Sequence, residues 1–130
     1  MDAKLMNGMS LAYIGDSVYE VYIREYVLSK GYNKVKDLHK NVIIFTSGES
    51  QADIVHHLIN DNILCDEELT IFKRGRNSHV HSVRKNISIQ DYLDATGFEA
   101  VIGYLYLNGQ KDRMEELIDY SIKIRSDEND

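Results

Sequence analysis

Proline is absent from the 130 residues, cysteine occurs once and glycine only eight times. A chain with so few hard breakers, whose apolar residues recur at spacings of three and four and not at two, is expected to be all-α. The single Cys65 cannot form an intramolecular disulfide, nor build a thiolate metal cage alone. No run of about eighteen apolar residues is present, which excludes a membrane-spanning helix. No basic stretch leading into an apolar one opens the chain, so a cytoplasmic location is expected. What is present is 43% hydrophobic and 28% charged, a balance that argues against disorder. A chain of this length buries about two-thirds of its unfolded surface, enough for one real core and too little for two domains.

Fifteen Lys and Arg stand against twenty-one Asp and Glu, a net charge of -6. That total argues against a general nucleic-acid coat protein, yet it conceals an asymmetry. From Lys73 to Ile89 there are five basic side chains (Lys73, Arg74, Arg76, Arg84 and Lys85), two histidines and no acid, so this segment carries +5 and the remainder -11. A cationic patch on an acidic body is a candidate anion site.

A first helix is expected from about Met9 or Ser10 to Leu28, stopped at Lys30-Gly31, because glycine readily takes the left-handed conformation that ends helices. A helical segment covers Val35 to Phe45, and Thr46-Ser47-Gly48 either kinks it or separates it from Glu49 to Asn60. Asp66-Glu67-Glu68 and Lys73-Arg74-Gly75 place acids first and bases last on a short helix, as the helix dipole prefers. Arg76 to Ser88 shows no amphipathic period and reads as a loop. Two more helices follow, from about Ile89 to Asn108 and from Lys111 to Arg125, joined at Asn108-Gly109. One domain over residues 1–125 is therefore expected, with an acidic tail at 126–130 that frays.

Two carboxylates sit where helix stability opposes them. Asp16 lies within Leu11 to Ile23, a stretch apolar around nearly its whole circumference, and the adjacent Gly15 costs roughly 1 kcal/mol relative to alanine in a helix interior. Glu99 repeats the combination, facing Ala95, Thr96, Ile102 and Gly103 on its own helix. A carboxylate in apolar surroundings must be paired, hydrogen-bonded or bound to a cation. The glycines suggest that another backbone or a ligand comes close. If these two helices pack there, two like charges converge and need a shared proton or a cation between them. An all-oxygen site of this kind suits hydrated Mg²⁺ or Mn²⁺. A salt bridge from another helix would satisfy either carboxylate as well, and the residues alone leave both readings open.

The wording of the two segments is more specific. Tyr13-Ile14-Gly15-Asp16-Ser17-Val18 is similar to the signature helix of ribonuclease III, and Phe98-Glu99-Ala100-Val101-Ile102-Gly103-Tyr104-Leu105-Tyr106-Leu107 resembles that family's second motif. The resemblance runs from about Met9 to Asp119 with the motifs in order. More narrowly the chain resembles Mini-III, the small bacterial branch of the family, through Asp37-Leu38-His39-Lys40, Ser50-Gln51-Ala52 and Lys73-Arg74-Gly75-Arg76-Asn77 in addition. The larger ribonuclease III pattern has further carboxylates where this chain has Ala12, Met9 and Thr96, a simplification expected of Mini-III.

The resemblance implies an endoribonuclease that hydrolyses double-stranded RNA as a homodimer, with Asp16 and Glu99 holding Mg²⁺ (Mn²⁺ substituting) and products bearing 5′-phosphate and 3′-hydroxyl ends. It also implies maturation of the large-subunit ribosomal RNA precursor, with a ribosomal protein as a possible presenter of that substrate. No double-stranded-RNA-binding domain is expected after the last helix, so Lys73, Arg74, Arg76, Arg84 and Lys85 are the expected RNA contacts, since duplex RNA is gripped mainly through phosphates and 2′-hydroxyls. Tyr13, Tyr19, Tyr22 and Tyr26 on the first helix fit core or dimer packing. His79 with His81, and His56 with His57, lack further ligands at a zinc spacing and are read as ordinary imidazoles. Glu20 is either a spare ligand or a partner of Arg24 one turn on. His39 is structural or touches RNA. The rival reading is a non-catalytic RNA-binding or ribosome-associated module on the same fold, which loss of Asp16 or Glu99 would favour.

Overall fold

Asn7, not Ser10, caps the first long helix: its side-chain oxygen accepts the Ser10 N–H at 2.8 Å, satisfying one of the orphan donors of a helix start. In the computed structural model, which describes residues 1–78 and 87–129, this helix is α1 (Gly8–Ser29). It is followed by α2 (Val35–Thr46), α3 (Gly48–Asn60), α4 (Asp66–Arg76), α5 (Ile89–Leu107) and α6 (Lys111–Asn129), after a single 3-10 turn at Ala3–Leu5. No strand occurs among the described residues, as the sequence predicts. None of their helices is long and apolar enough to cross a membrane.

The ambiguous stretch at Thr46-Ser47-Gly48 is a true break. Ser47 is extended, with φ -62° and ψ 156°, and ends α2 while its hydroxyl accepts the Ser50 N–H to start α3. The C-terminal acids behave differently from a frayed tail. α6 runs on through Ser126 to Asn129, and Glu128 is bound by His57 Nε2 at 2.8 Å and by Arg125 Nη1 at 2.9 Å.

α5 is the central element. Its residues from Asp94 to Leu105, apart from half-buried Glu99, are buried, and it is packed by α1, α4 and α3. Tyr19, Ile23 and Leu11 from α1 join Phe98, Ile102 and Leu105 from α5, Ile54 and Leu58 from α3, and Met114, Leu117 and Ile118 from α6 in one core. Each such side chain contributes roughly 1.5–3 kcal/mol by leaving water. Tyr19 and Phe98 meet edge to face at 5.1 Å, a preferred aromatic geometry. The tyrosines of α1 divide accordingly: Tyr19 is in the core, Tyr22 and Tyr26 pack against it, and Tyr13 is 81% exposed.

Candidate active site

The crossing of α1 with α5 is made where side chains are missing. A Cβ on Gly15 would stand 1.8 Å from the carbonyl oxygen of Glu99 and 2.8 Å from the Gly103 nitrogen, and one on Gly103 would stand 1.9 Å from the carbonyl oxygen of Leu11. These separations lie far inside van der Waals contact, so α1 and α5 touch backbone to backbone at points where only hydrogen fits. Asp16 is the next residue after Gly15, and Glu99 is the residue whose carbonyl Gly15 touches. The two acidic residues thus stand at one backbone crossing. The close approach expected at Gly15 is present, and a backbone makes it.

The surroundings of Asp16 differ from the sequence expectation. The hydropathy pattern puts it in apolar surroundings, whereas it is exposed on the outer side of α1. That side carries Met9, Tyr13, Val21 and Leu28, all exposed, so the helix is apolar around its circumference without being covered around it in a single chain. Ion pairs hold many acids of this protein, but none is formed by Asp16 among the described residues. Glu99 is half-buried. Burial pushes the Tyr19 hydroxyl well above its ordinary value, and the Glu99 charge pushes the same way while Arg125 opposes it. The Tyr19 hydroxyl donates to the Phe45 carbonyl at 2.8 Å, so it roofs α1 onto α2 beside the crossing. Glu20 is accounted for by Arg24, whose Nη2 lies 2.6 Å from Glu20 Oε2.

The five expected RNA contacts separate into three kinds. Lys73 is exposed on α4. Arg74 and Arg76 point their guanidinium groups inward: Arg74 Nη1 donates to the carbonyls of Lys4 at 2.8 Å and Met6 at 3.0 Å, and Arg76 Nε donates to Asp94 Oδ1 at 2.7 Å. Arg84 and Lys85, together with His79 and His81, lie outside the described residues. His39 is exposed on α2 and lines a cleft of about 330 Å³ with Arg24, Leu28, Val35, Leu38 and Val42.

His56 and His57, read as ordinary imidazoles, turn out to be hydrogen-bonded. His56 Nε2 is 2.7 Å from Asp94 Oδ2. His57 joins Asp53 and Glu128 in a group whose donor atoms all lie within 4.8 Å of one another. That group already has a cation, because Arg125 Nη1 donates to Asp53 Oδ2 and Glu128 Oε2, each at 2.9 Å. Asp94 is the polar residue that sequence reasoning missed. It is buried, and its partners stand 18 and 38 residues away, so no local spacing could have singled it out.

The family model for the ribonuclease III domain matches residues 9–110, a span that begins one residue into α1 and includes both carboxylates. The Mini-ribonuclease 3 of Enterococcus faecalis is 43% identical over 122 residues, covering 94% of this chain and 92% of that protein. The Mini-ribonuclease 3 of Clostridium tetani is 46% identical over 124 residues, covering 95% of this chain and 81% of that one. An X-ray crystal structure of a Fusobacterium nucleatum protein superposes with a TM-score of 0.83 at 33% identity, covering 94% of this chain and 96% of that one. Sequence motifs, helical architecture and these similarities agree: the chain is an all-α endoribonuclease that belongs to the ribonuclease III family, in its Mini-ribonuclease 3 branch.

Proposed function

We propose that this endoribonuclease hydrolyses double-stranded RNA with a divalent cation held by Asp16 and Glu99, Mg²⁺ in the cell with Mn²⁺ able to replace it. The observation that supports the reading is the glycine contact between α1 and α5, with Asp16 next in the chain to Gly15 and the Glu99 carbonyl part of the contact. The donor set fits the ion. Both groups offer hard anionic oxygens, and Asp16 is exposed enough to leave room for the waters that Mg²⁺ retains. The chemistry such an ion supplies is activation of water and neutralisation of charge on the scissile phosphate. Asp16 and Glu99 then have the task of holding and orienting, on backbones that meet directly at the glycines. In the reaction, water attacks phosphorus and the bond to the 3′ oxygen breaks, leaving a 5′-phosphate and a 3′-hydroxyl.

Lys73 is the exposed cation of α4 and meets phosphate in this reading. The exposed apolar residues Met9, Tyr13, Val21 and Leu28 make the outer side of α1 the contact between two copies of the chain, with one Asp16 near each half of a shared groove. Two such sites cut the two strands. The substrate proposed for the cell is the precursor of large-subunit ribosomal RNA in the cytoplasm, with a ribosomal protein as the presenting partner.

The test is cleavage of a long, perfectly paired RNA by the purified protein, with Mg²⁺ or with chelator, comparing wild type with Asp16→Asn. Metal-dependent cutting that Asp16→Asn abolishes is the expected result. A wild type that binds the duplex and leaves it intact would overturn cleavage of plain duplex RNA by the chain alone, in favour of a non-catalytic binding module or an enzyme that needs a partner-shaped substrate.

A further inference from the structure

Arg76 ends α4 and reaches α5 with one edge of its guanidinium. Nε donates to Asp94 Oδ1 at 2.7 Å and Nη2 donates to Gln90 Oε1. The second carboxylate oxygen, Asp94 Oδ2, is 2.7 Å from His56 Nε2 on α3. The Asp94 side chain is only 10% exposed and that of Arg76 31%, so this is a largely covered carboxylate with both oxygens occupied, joining three helices. Such a group strongly resists losing one partner, because the remaining charge would stay buried without compensation.

The junction closes one end of a packed seam. A Cβ on Gly75, one residue before Arg76, would meet the Ala100 Cβ at 2.6 Å and the Gly97 Cα at 3.0 Å, and one on Gly97 would meet the Phe72 ring at 2.6 Å. α4 therefore lies directly against the stretch of α5 that contains Glu99. The Glu99 backbone is fixed from another side, where Gly15 of α1 meets the Glu99 carbonyl and Gly103 of α5 meets the Leu11 carbonyl. Two independent fixings act on α5: one sets the carboxylate, and the other sets α4, whose exposed Lys73 is one turn before Arg76.

We propose that Arg76 and Asp94 are positioning residues that seat α4 on the Glu99 helix so that duplex RNA is bound in register, and that Arg76 is a strut rather than a phosphate contact. This rests on the nuclease reading above and deepens it. The fork geometry gives the distinction its chemistry. An arginine edge presents two N–H groups in fixed directions and spans Asp94 and Gln90 together, which a lysine ammonium on a flexible stem cannot do. A phosphate contact, in contrast, needs chiefly the positive charge.

The decisive experiment compares Arg76→Lys, Arg76→Gln, Asp94→Asn and the Arg76→Gln/Asp94→Asn double variant for KM and kcat on a long RNA duplex. The salt dependence of duplex binding is measured for each, and thermal unfolding is followed in parallel. Arg76→Lys should be as impaired as Arg76→Gln, with KM raised about tenfold and kcat within about twofold of wild type, because binding register is lost while Glu99 stays in place. The double variant should be no worse than the worse single one, as expected for two members of one unit. The slope of log affinity against log salt should not change, whereas loss of a phosphate contact would lower it by roughly 0.9. An Arg76→Lys protein that behaves as wild type, or a slope that falls in Arg76→Gln, overturns the positioning role while leaving the nuclease reading intact. A wild type that neither cuts nor binds duplex RNA overturns both. Should Arg76→Gln fail to fold, Asp94→Asn, which preserves shape and the Gln90 contact, carries the same comparison of KM with kcat.

Discussion

Where α1 crosses α5, the helices are joined by removing side chains; where α4 meets α6, they are joined by a charged pair. At the first junction Gly15 and Gly103 bring the backbones together, the Glu99 carbonyl being part of the contact, and no acidic side chain makes it. At the second, Arg113 donates through Nε and Nη2 to both oxygens of Glu68, each at 2.8 Å, and Nη2 also donates to the Ile63 carbonyl at 2.6 Å. Glu68 is buried and consumed by that contact, accepting the Cys65 N–H at 3.0 Å as well. The difference separates an acid consumed by its ion pair, Glu68, from Asp16, which forms none among the described residues. A junction closed by backbone contact does not rely on the Asp16 carboxylate for cohesion.

The largest effect should come from the carboxylates of the first junction. Asp16→Asn or Glu99→Gln should lower duplex cleavage by about 10³-fold, the loss of roughly 4 kcal/mol of transition-state stabilisation, measured as kcat/KM. For Asp16→Asn the melting temperature should stay close to that of wild type, since the side chain is exposed. A large fall in melting temperature with Asp16→Asn would mean that Asp16 is structural and would erase the contrast with Glu68.

Next come the glycines. Gly15→Ala or Gly103→Ala places a methyl group 1.8 or 1.9 Å from a carbonyl oxygen, so the helices must part, at a cost of about 3 kcal/mol or more. For a domain of this size that should lower the melting temperature by roughly 10 °C, and cleavage should fall with it because the carboxylates separate. Retained stability would show that the seam is not closed by backbone contact.

Glu68→Gln should cost about 2 kcal/mol by leaving Arg113 with a neutral partner in a covered site, without changing cleavage by the folded protein. Burial alone would raise the Glu68 carboxyl, but the Arg113 hydrogen bonds and the Cys65 N–H outweigh it and hold the carboxyl below its ordinary value. The sign follows: a lowered folded-state value means that this stabilisation is present above the ordinary carboxylate range and is lost as pH falls through the lowered value. Acid titration of stability should lose a step in Glu68→Gln. The smallest effect lies at the alkaline end. The hydrogen bond that Tyr22 donates to Glu115 at 2.7 Å, together with burial, pushes the Tyr22 hydroxyl from 10.0 up to about 12. Stability from that contact is complete below pH 10 and declines as pH rises toward 12, a decline that Tyr22→Phe should reduce in thermal scans.

Much of the α1–α5 junction was readable in the chain because its signal is local. A glycine beside a carboxylate inside an apolar helix, occurring twice, is visible in Gly15-Asp16 and in Glu99 with Gly103, and small residues at helical spacing announce a close neighbour. The division of α2 from α3 was readable only as an alternative, since Ser47 serves equally well as a kink or as a cap until its backbone is seen. The exposure of Asp16 was not readable, because periodicity reports that a helix is apolar and not which of its faces the rest of the chain covers. The inward turn of Arg74 and Arg76 was hidden for a related reason: their partners, Lys4, Met6 and Asp94, are 70, 68 and 18 residues away. A run of basic residues looks the same in sequence whether its charges face RNA or its own fold. Glu68 was read as part of an acidic first turn favoured by the helix dipole, and its more important partner, Arg113, lies 45 residues on.

In the proposed function Asp16 and Glu99 form a single cation site across the glycine contact. Calorimetric titration of Mn²⁺ into wild type, Asp16→Asn, Glu99→Gln and the double variant tests it without recourse to activity. The prediction is that either single substitution abolishes the binding seen in wild type and that the double variant adds nothing further. Binding that survives either single substitution undiminished would contradict it.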